Sequence, residues 1–407
     1  MNNIFANIKE VQAILLKNTD TKIKRFLFDK IDFNQRLIGV IGARGVGKTT
    51  LILQYLRENH YRNESALFLY ADNYLFTSGD LFNLARDFYL KENGRLMCVD
   101  EIHRFPNWNQ ELKNIYDSFP EMKIIFSGSS SLNLTKGKND LSRRGVMYHL
   151  PGLSFREYLL FKGVNNILPY SFNELRNDYK KIARDVFEID GVYKHFADYS
   201  NAGYYPFCFE TNNKNLYRQQ INSIIDKIIY EDIAGYYKLK TESLIVFKQV
   251  LNFFATISPG EININKLAQT LDKNHETITN FLEMLNETEL IRFLSSDKSG
   301  YGLIRKAKKM YLDNTDLAMA LNFNLGKDFN IGTRRELFVL NQLQNAGMRV
   351  VYSSMGDFVV DGVVLEIGGR SKKFKQIAGV KNSFLVKDDV VVADDGVIPL
   401  ILFGFLY

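Results

Sequence analysis

The stretch Gly42-Ala43-Arg44-Gly45-Val46-Gly47-Lys48-Thr49-Thr50 constrains this chain more than any other. It fits a pattern of two glycines separated by four residues, followed by Lys and Thr. A phosphate held by backbone N–H groups needs a sharp, open turn whose donors converge on one small concavity. Gly42, Gly45 and Gly47 permit that turn because they lack Cβ. Lys48 can place a compact positive charge on the β- and γ-phosphates, and the Thr49 hydroxyl can ligate Mg²⁺. Ala43, Arg44, Val46 and Thr50 complete the cradle. The flanks agree: 37–41 is a short apolar run of buried-strand type, and 49–59 has helical apolar spacing. Strand, loop and helix N-terminus is the context that a phosphate loop requires.

Downstream, the pattern alternates. Strands are expected at 66–71, 96–99, 123–126 and 146–150, with helices at 81–91 and 108–119 between them. Alternation of this kind predicts a doubly wound parallel sheet whose ligand sits at the carboxyl ends of its strands. Asp100-Glu101 follow the third of these strands. An acid there can hold Mg²⁺ directly or through water, and a neighbouring carboxylate can orient and deprotonate an attacking water. Ser127-Gly128-Ser129-Ser130-Ser131 follow the fourth. Ser129 is the choice for a hydroxyl reaching the γ-phosphate, although an ordinary Gly/Ser turn would look the same. Arg143 and Arg144 precede the fifth strand. They are read either as cations that stabilise developing phosphate charge or as two surface arginines. No Asn-Lys-x-Asp guanine-reading motif follows, so ATP is favoured over GTP. Lys22, Lys24 and Arg25, before the loop, read as a solvated face.

Composition limits the rest. With 407 residues, 46 % hydrophobic and 24 % charged, the chain is long enough for two to four globular domains. A formal charge of +6, from 52 basic and 46 acidic residues, permits nucleic-acid contact without requiring it. Two cysteines, Cys98 and Cys208, give neither a disulfide framework nor a metal cluster, and a reducing cytosol is the simplest setting. No 18-residue apolar run is present and no signal peptide is recognisable, so a cytoplasmic chain without a membrane span is expected.

Four blocks together resemble a family of bacterial and archaeal AAA+ ATPases. They are 42–50, Cys98-Val99-Asp100-Glu101-Ile102-His103-Arg104-Phe105-Pro106-Asn107-Trp108, 127–132, and 142–159, which contains Leu150-Pro151-Gly152-Leu153-Ser154-Phe155-Arg156-Glu157. In that family an AAA core precedes a helical region, a winged helix and a C-terminal domain related to PD-(D/E)XK nucleases. The resemblance implies finger arginines at 143–144, a sensor at Ser129 or Ser130, and ATP with Mg²⁺ as ligands. His103 and Trp108 come with the motif, and packing around the strand end accounts for both.

The second half fits this plan. Helices are expected at 155–160, 172–187, 191–197 and 216–230, as in a lid. Helices at 244–257, 264–271 and 275–285 with strands at 291–294 and 303–312 make a winged helix-turn-helix. Its third helix argues against DNA: 275–291 carries Glu276, Glu283, Glu287 and Glu289 and no Lys or Arg, so phosphates would be repelled. A packing role, internal or against a partner protein, is favoured over wing-led DNA contact through Arg305, Lys306, Lys308 and Lys309. From 315 a small α/β unit is expected, with a helix at 334–345 and strands at 349–352, 358–360, 363–367, 383–386 and 399–406. Glu336, Asp357 and Glu366 match the acidic set of a PD-(D/E)XK core, a second possible metal site at Asp357 and Glu366. Gly368 stands where that core needs lysine, although Lys372 or Lys373 could reach in. A degenerate nuclease fold is favoured.

The fold class expected is therefore α/β: a P-loop NTPase sheet of AAA+ type (1–150), a helical lid (151–240), a winged-helix domain (241–314) and a restriction-endonuclease-like C-terminal domain (315–407). The function expected is Mg²⁺-dependent ATP hydrolysis that moves the later domains. A homo-oligomer and an unidentified protein client are the implied partners. An ATP-dependent nuclease and a nucleotide-binding scaffold are the alternatives.

Overall fold

The computed structural model describes residues 4–60, 63–71, 81–105, 107–129, 141, 143–237, 239–257, 263–295 and 307–407. The chain divides into two compact units, Met1–Pro151 and Gly152–Tyr407. The segments 151–240, 241–314 and 315–407, expected as separate domains, all lie in the second.

The first unit opens with helix α1 (Ile4–Asn18) and continues as β1 (Leu37–Gly42), α2 (Lys48–His60), β2 (Ala66–Tyr70), α3 (Leu81–Lys91), β3 (Leu96–Asp100), α4 (Trp108–Ser118), β4 (Lys123–Ser129) and β5 (Val146–His149). All five strands are parallel, in the order β2-β3-β4-β1-β5. The cause is visible in composition. β1 and β3 are buried at every position, as strands covered on both faces by helices must be, and they therefore read as unbroken apolar runs. Phe5 and Ile8 of α1, Ala85 and Phe88 of α3, and Leu112 and Ile115 of α4 pack with strand residues in one core. β4 lies between β1 and β3, with Val40 opposite Ser127 and Gly42 opposite Ser129. That insertion brings a β4 side chain between the phosphate loop and the acidic strand end.

In the second unit come α5 (Phe155–Phe161), α6 (Phe172–Phe187), α7 (Val192–Ala202) and α8 (Lys214–Lys227), the last running through a wider turn at Ile228–Ile233. Ser154 with Glu157 and Ser171 with Glu174 form reciprocal capping boxes that start α5 and α6. Next are α9 (Thr241–Thr256), α10 (Ile264–Thr270), α11 (His275–Glu287) and an antiparallel pair, β6 (Ile291–Ser295) with β7 (Ala307–Leu312). Arg305 and Lys306 lie outside the described residues. Helix α12 (Thr315–Asn324) follows, then α13 (Ile331–Asn345), β8 (Val350–Tyr352), β9 (Phe358–Val360), β10 (Val363–Gly368), β11 (Ser383–Lys387) and β12 (Val397–Pro399). These five strands form one mixed sheet in sequential order: β8, β9 and β10 run antiparallel in turn, and β10, β11 and β12 run parallel.

Two readings of this half are corrected. The run 399–406 is not a strand: Pro399 ends β12, and Leu400–Phe405 is a buried 3₁₀ helix. An unbroken apolar run carries no period that separates a buried strand from a buried helix. Gly404 fits there because a Cβ would stand 2.5 Å from Phe155 Cβ. Helix α12 was not foreseen, since it is buried on most sides and shows no amphipathic stripe.

Asp316 on α12 is fully buried. One oxygen accepts from the backbone N–H of Gly203 at 3.1 Å and of Tyr204 at 2.9 Å, and from the Tyr217 hydroxyl. Burial pushes its carboxyl up to about 6 from 3.8, against the pull of those donors. The folded form thus holds its proton more tightly than the unfolded one. The stability this contributes is complete below about pH 3.8 and is lost as pH rises through about 6. Asp316→Asn, which does not titrate, should remove an effect on the order of 3 kcal/mol. Urea unfolding of both proteins followed by circular dichroism at pH 4, 5, 6 and 7 checks this. The difference between them should change across that window, and parallel curves would exclude the assignment.

Candidate functional site

The phosphate loop is built by exclusion of Cβ atoms. A Cβ on Gly42 would stand 2.2 Å from the Leu150 carbonyl oxygen, while Gly45 and Gly47 have φ of 82° and 98°. These are conformations that only glycine adopts without strain. Four of the loop's carbonyls are occupied. Lys48 Nζ donates to the oxygens of Gly42 at 2.9 Å and Ala43 at 2.8 Å, and Leu51 N–H donates to Gly47 O at 3.0 Å. Arg25 Nη1 donates to Val46 O, and its Nη2 donates to Pro151 O at 2.7 Å. Arg25 is buried, so the solvated-face reading is corrected for it. Lys24 does remain peripheral, paired with Glu58 at 2.7 Å.

Asp100 ends β3 beside the loop. Its Oδ2 accepts from Thr49 Oγ1 at 2.8 Å and its Oδ1 from Ser127 Oγ. Burial raises its pKa, and the Ser127 and Thr49 hydrogen bonds oppose the rise. Ser127 in turn accepts the Glu101 N–H at 3.0 Å. Glu101 sits in the left-handed region (φ 54°, ψ 44°) at the start of a single turn, Ile102–Arg104. Such strain in a non-glycine residue persists only where its surroundings enforce it, and it gathers at functional sites. His103 Nε2 lies 3.3 Å from Glu101 Oε2, and the ring is buried. Packing alone does not describe His103, whereas Trp108 does pack, against Phe126 at 6.0 Å between ring centroids.

The oxygen set at this edge fits a hard divalent ion. Thr49 and Asp100 supply two neighbouring oxygens, one of them a desolvated carboxylate whose charge lacks a full counter-ion. Mg²⁺ at nucleotide sites takes one or two protein oxygens, with phosphates and waters supplying the rest. Among the described residues no group of three or more His, Cys, Asp or Glu side chains could hold a metal alone.

The structure does not bring every proposed residue to this edge. Ser129 ends β4 opposite Gly42, next to the loop, whereas Ser130 lies outside the described residues. Arg143 and Arg144 come just before Val146, which pairs with Ile38 near the start of β1. They occupy the amino-terminal edge of the sheet, on the far side from the loop. Arg144 makes a two-pronged pair there with Asp117, at 2.9 and 3.0 Å. Contact between these arginines and a nucleotide held by the same chain is corrected on that ground.

The acidic set of the second unit is also corrected as a metal site. Lys309 Nζ, from β7, lies 3.3 Å from Glu336 and 3.5 Å from Asp357. Lys372 pairs with Glu366, and its aliphatic stem fills the space a Gly368 side chain would need. Tyr311 donates to Glu336 at 2.8 Å, and Asp357 Oδ2 accepts the Ile367 N–H at 2.8 Å. Burial works against the Lys309 charge, but Glu336 and Asp357 outweigh it and hold its pKa high. Cys98 and Cys208 are free thiols, and burial pushes both up, away from thiolate chemistry. Among the described residues no helix is long and apolar enough to cross a membrane.

Comparison with known proteins agrees at the level of the first unit. Residues 34–159 match the family model of the AAA domain, and residues 193–328 match a domain of unknown function (DUF8612). An uncharacterized protein of Methanocaldococcus jannaschii is 25 % identical, covering 97 % of this chain and 90 % of its own length. Among solved structures, AMPPCP-bound DnaA from Aquifex aeolicus is 14 % identical at a TM-score of 0.26, covering 64 % of this chain and 84 % of that one. PCH-2 of C. elegans is 16 % identical at 0.25, covering 69 % of each chain. Those scores are too low to support anything further. The chain carries an AAA-type domain, which points to nucleotide binding and ATPase activity in general terms.

Ser127 was hidden in a serine-rich run, and only β4's place in the sheet shows that it serves Asp100. Ser127→Ala removes one donor from a buried carboxylate and the acceptor of the Glu101 N–H. The expected loss is about 1–3 kcal/mol. Trp108 is the single tryptophan and lies in the first unit, so urea unfolding followed by its fluorescence reads this unit alone. A midpoint unchanged from wild type would show that Ser127 does not hold the pair.

Proposed function

We propose that this chain is a Mg²⁺-dependent ATP hydrolase of AAA type. One observation carries the reading: Thr49 and Asp100 meet at 2.8 Å beside the phosphate loop, with Glu101 next in the chain. In this reading Lys48 and the amides of Gly42 to Thr50 bind the phosphates. Thr49 and Asp100 hold Mg²⁺, whose charge, when it is bound, offsets that of the β- and γ-phosphates. Glu101 orients the attacking water and takes its proton, and His103 fixes the Glu101 carboxylate. Ser129 stands at the γ-phosphate side of the loop. Such catalysis is positioning and electrostatics, and a structural nucleotide alone would not need Glu101.

The finer assignments are ours too. Three helices followed by two antiparallel strands are the element order of a winged helix, and the acid-rich α11 suits a protein partner better than DNA. The C-terminal sheet with Glu336, Asp357 and Glu366 is read as a nuclease-like fold in which lysines have replaced metal, so DNA cleavage is not expected. Turnover would drive or reset the position of these segments. Arg143 and Arg144 would serve a neighbouring copy in a homo-oligomer. Two free cysteines, Cys98 buried and Cys208 half-buried, suit a reducing cytoplasm.

ATP turnover per protomer across a wide range of protein concentration is the test. Glu101→Gln should lower turnover by about 10²–10⁴-fold, the usual worth of a general base, while leaving ATP binding in place. Specific activity should climb with concentration, and Arg143→Ala/Arg144→Ala should abolish that climb. Flat activity that still needs Glu101 would exclude the trans role, and turnover indifferent to Glu101→Gln would exclude the hydrolytic site.

A further inference from the structure

We infer that Arg25 is a positioning residue of the phosphate loop, a role that rests on the ATP-binding reading above. Arg25 lies outside the motif, 17 residues before Gly42 (42 − 25), and its side chain is 4 % exposed. Its guanidinium bridges two carbonyls that belong to different parts of the fold. Nη1 donates to Val46 O inside the loop, and Nη2 donates to Pro151 O just beyond β5. Leu150 N–H adds a tie to Ile41 O at 2.7 Å, so the segment 150–151 is fixed against β1 and offers Arg25 a rigid anchor.

The consequence for phosphate binding follows from peptide geometry. Among the described residues no peptide is cis, and in a planar trans peptide the C=O and N–H point in opposite directions. A Val46 carbonyl held by Arg25 therefore leaves the Gly47 N–H facing away from Arg25. Gly47, with φ of 98°, has no side chain to hold that orientation by packing. Val46 is buried and fixes its own side of this peptide, but Gly47 leaves the other side free to rotate, and every N–H that turns outward is lost to an anion. Arg25 removes that freedom, and its planar fork fixes the directions of two separate donors, one to the loop and one to the segment after β5. Lys48 holds the Gly42 and Ala43 carbonyls and Leu51 N–H the Gly47 carbonyl, and Arg25 holds the Val46 carbonyl between them. The bridge also adds positive charge behind a site for polyanions.

The test is titration calorimetry of the full chain with ATP and with inorganic tripolyphosphate, for wild type, Arg25→Lys, Arg25→Gln and Lys48→Ala. Trp108 fluorescence shows that each variant is folded at the temperature used. Arg25→Lys keeps charge and one hydrogen bond, so it should fold. It should bind both ligands at least tenfold more weakly, by a similar factor for each, because the deficit lies in the phosphate cradle and not around the base. Arg25→Gln should lose more. Millimolar guanidinium should restore part of the affinity of Arg25→Gln and none of that of Lys48→Ala, a rescue that a general loss of packing would not give. Folded Arg25 variants that bind tripolyphosphate as tightly as wild type would overturn the inference and leave the ATPase reading standing. A folded wild type that binds neither ligand would overturn both.

Discussion

The buried carboxylate of Asp100 is the point on which the first unit turns. It ends β3 almost without access to water, and a charge in that setting is costly unless donors surround it. Both of its oxygens are met, by Thr49 from the first turn of α2 and by Ser127 from β4. Each partner sits on a different element, so the carboxylate fixes the helix after the loop and the strand beside it in one register. The sheet order makes this possible: with β4 between β1 and β3, a serine reaches Asp100 from one side and a threonine from the other. Burial still lifts the Asp100 pKa despite these donors. The site therefore retains an affinity for positive charge that hydroxyls do not exhaust, the electrostatic condition for a cation shared with a nucleotide.

The second unit resolves a similar problem in the opposite way. Glu336 of α13, Asp357 just before β9 and Glu366 of β10 each have a lysine ammonium beside them, Lys309 at the first two and Lys372 at the third. Two lysine charges supplied by the chain itself offset most of the charge of the three acids. Lys309 comes from β7, the second strand of the ribbon that follows α11, and Tyr311 of the same strand donates to Glu336. The ribbon is thus bonded to the acidic cluster through two side chains. A metal entering there would first have to displace an ammonium held by two carboxylates.

Much of this was readable in the sequence, and the unreadable parts have identifiable physical causes. Lys48, Thr49, Asp100 and the five strands of the first sheet announce themselves because each is tied to a local pattern, a fixed spacing or an apolar run of strand length. Ser127 and Arg25 do not, because their partners lie 27 and 21 residues away and no local pattern links them. The helix Thr315–Asn324 and the 3₁₀ segment Leu400–Phe405 were missed for a second reason: burial on most sides erases the periodicity that identifies an element. Lys372 was named from the sequence as able to reach in, and the structure shows its stem filling the space that a Gly368 side chain would need.

A parallel sheet has two edges with different chemistry, and the positions of Glu101 and Arg144 follow from that fact. Residues that follow strands gather at the carboxyl edge, where Thr49, Asp100 and Glu101 stand. Residues that precede strands gather at the other, where Arg144 grips Asp117. From Arg144 to the far end of β5 the backbone covers about 17 Å at strand rise, beyond the reach of any side chain. If either arginine meets a nucleotide, that nucleotide is held by another copy of the chain. The Arg144–Asp117 pair would then have to open first. As a partly exposed pair it is worth at most about 1 kcal/mol, and a phosphate's charge would compete with it successfully. The same weakness means that the isolated chain gains little from the pair, so the fold of the first unit depends on the Asp100 network and the apolar core.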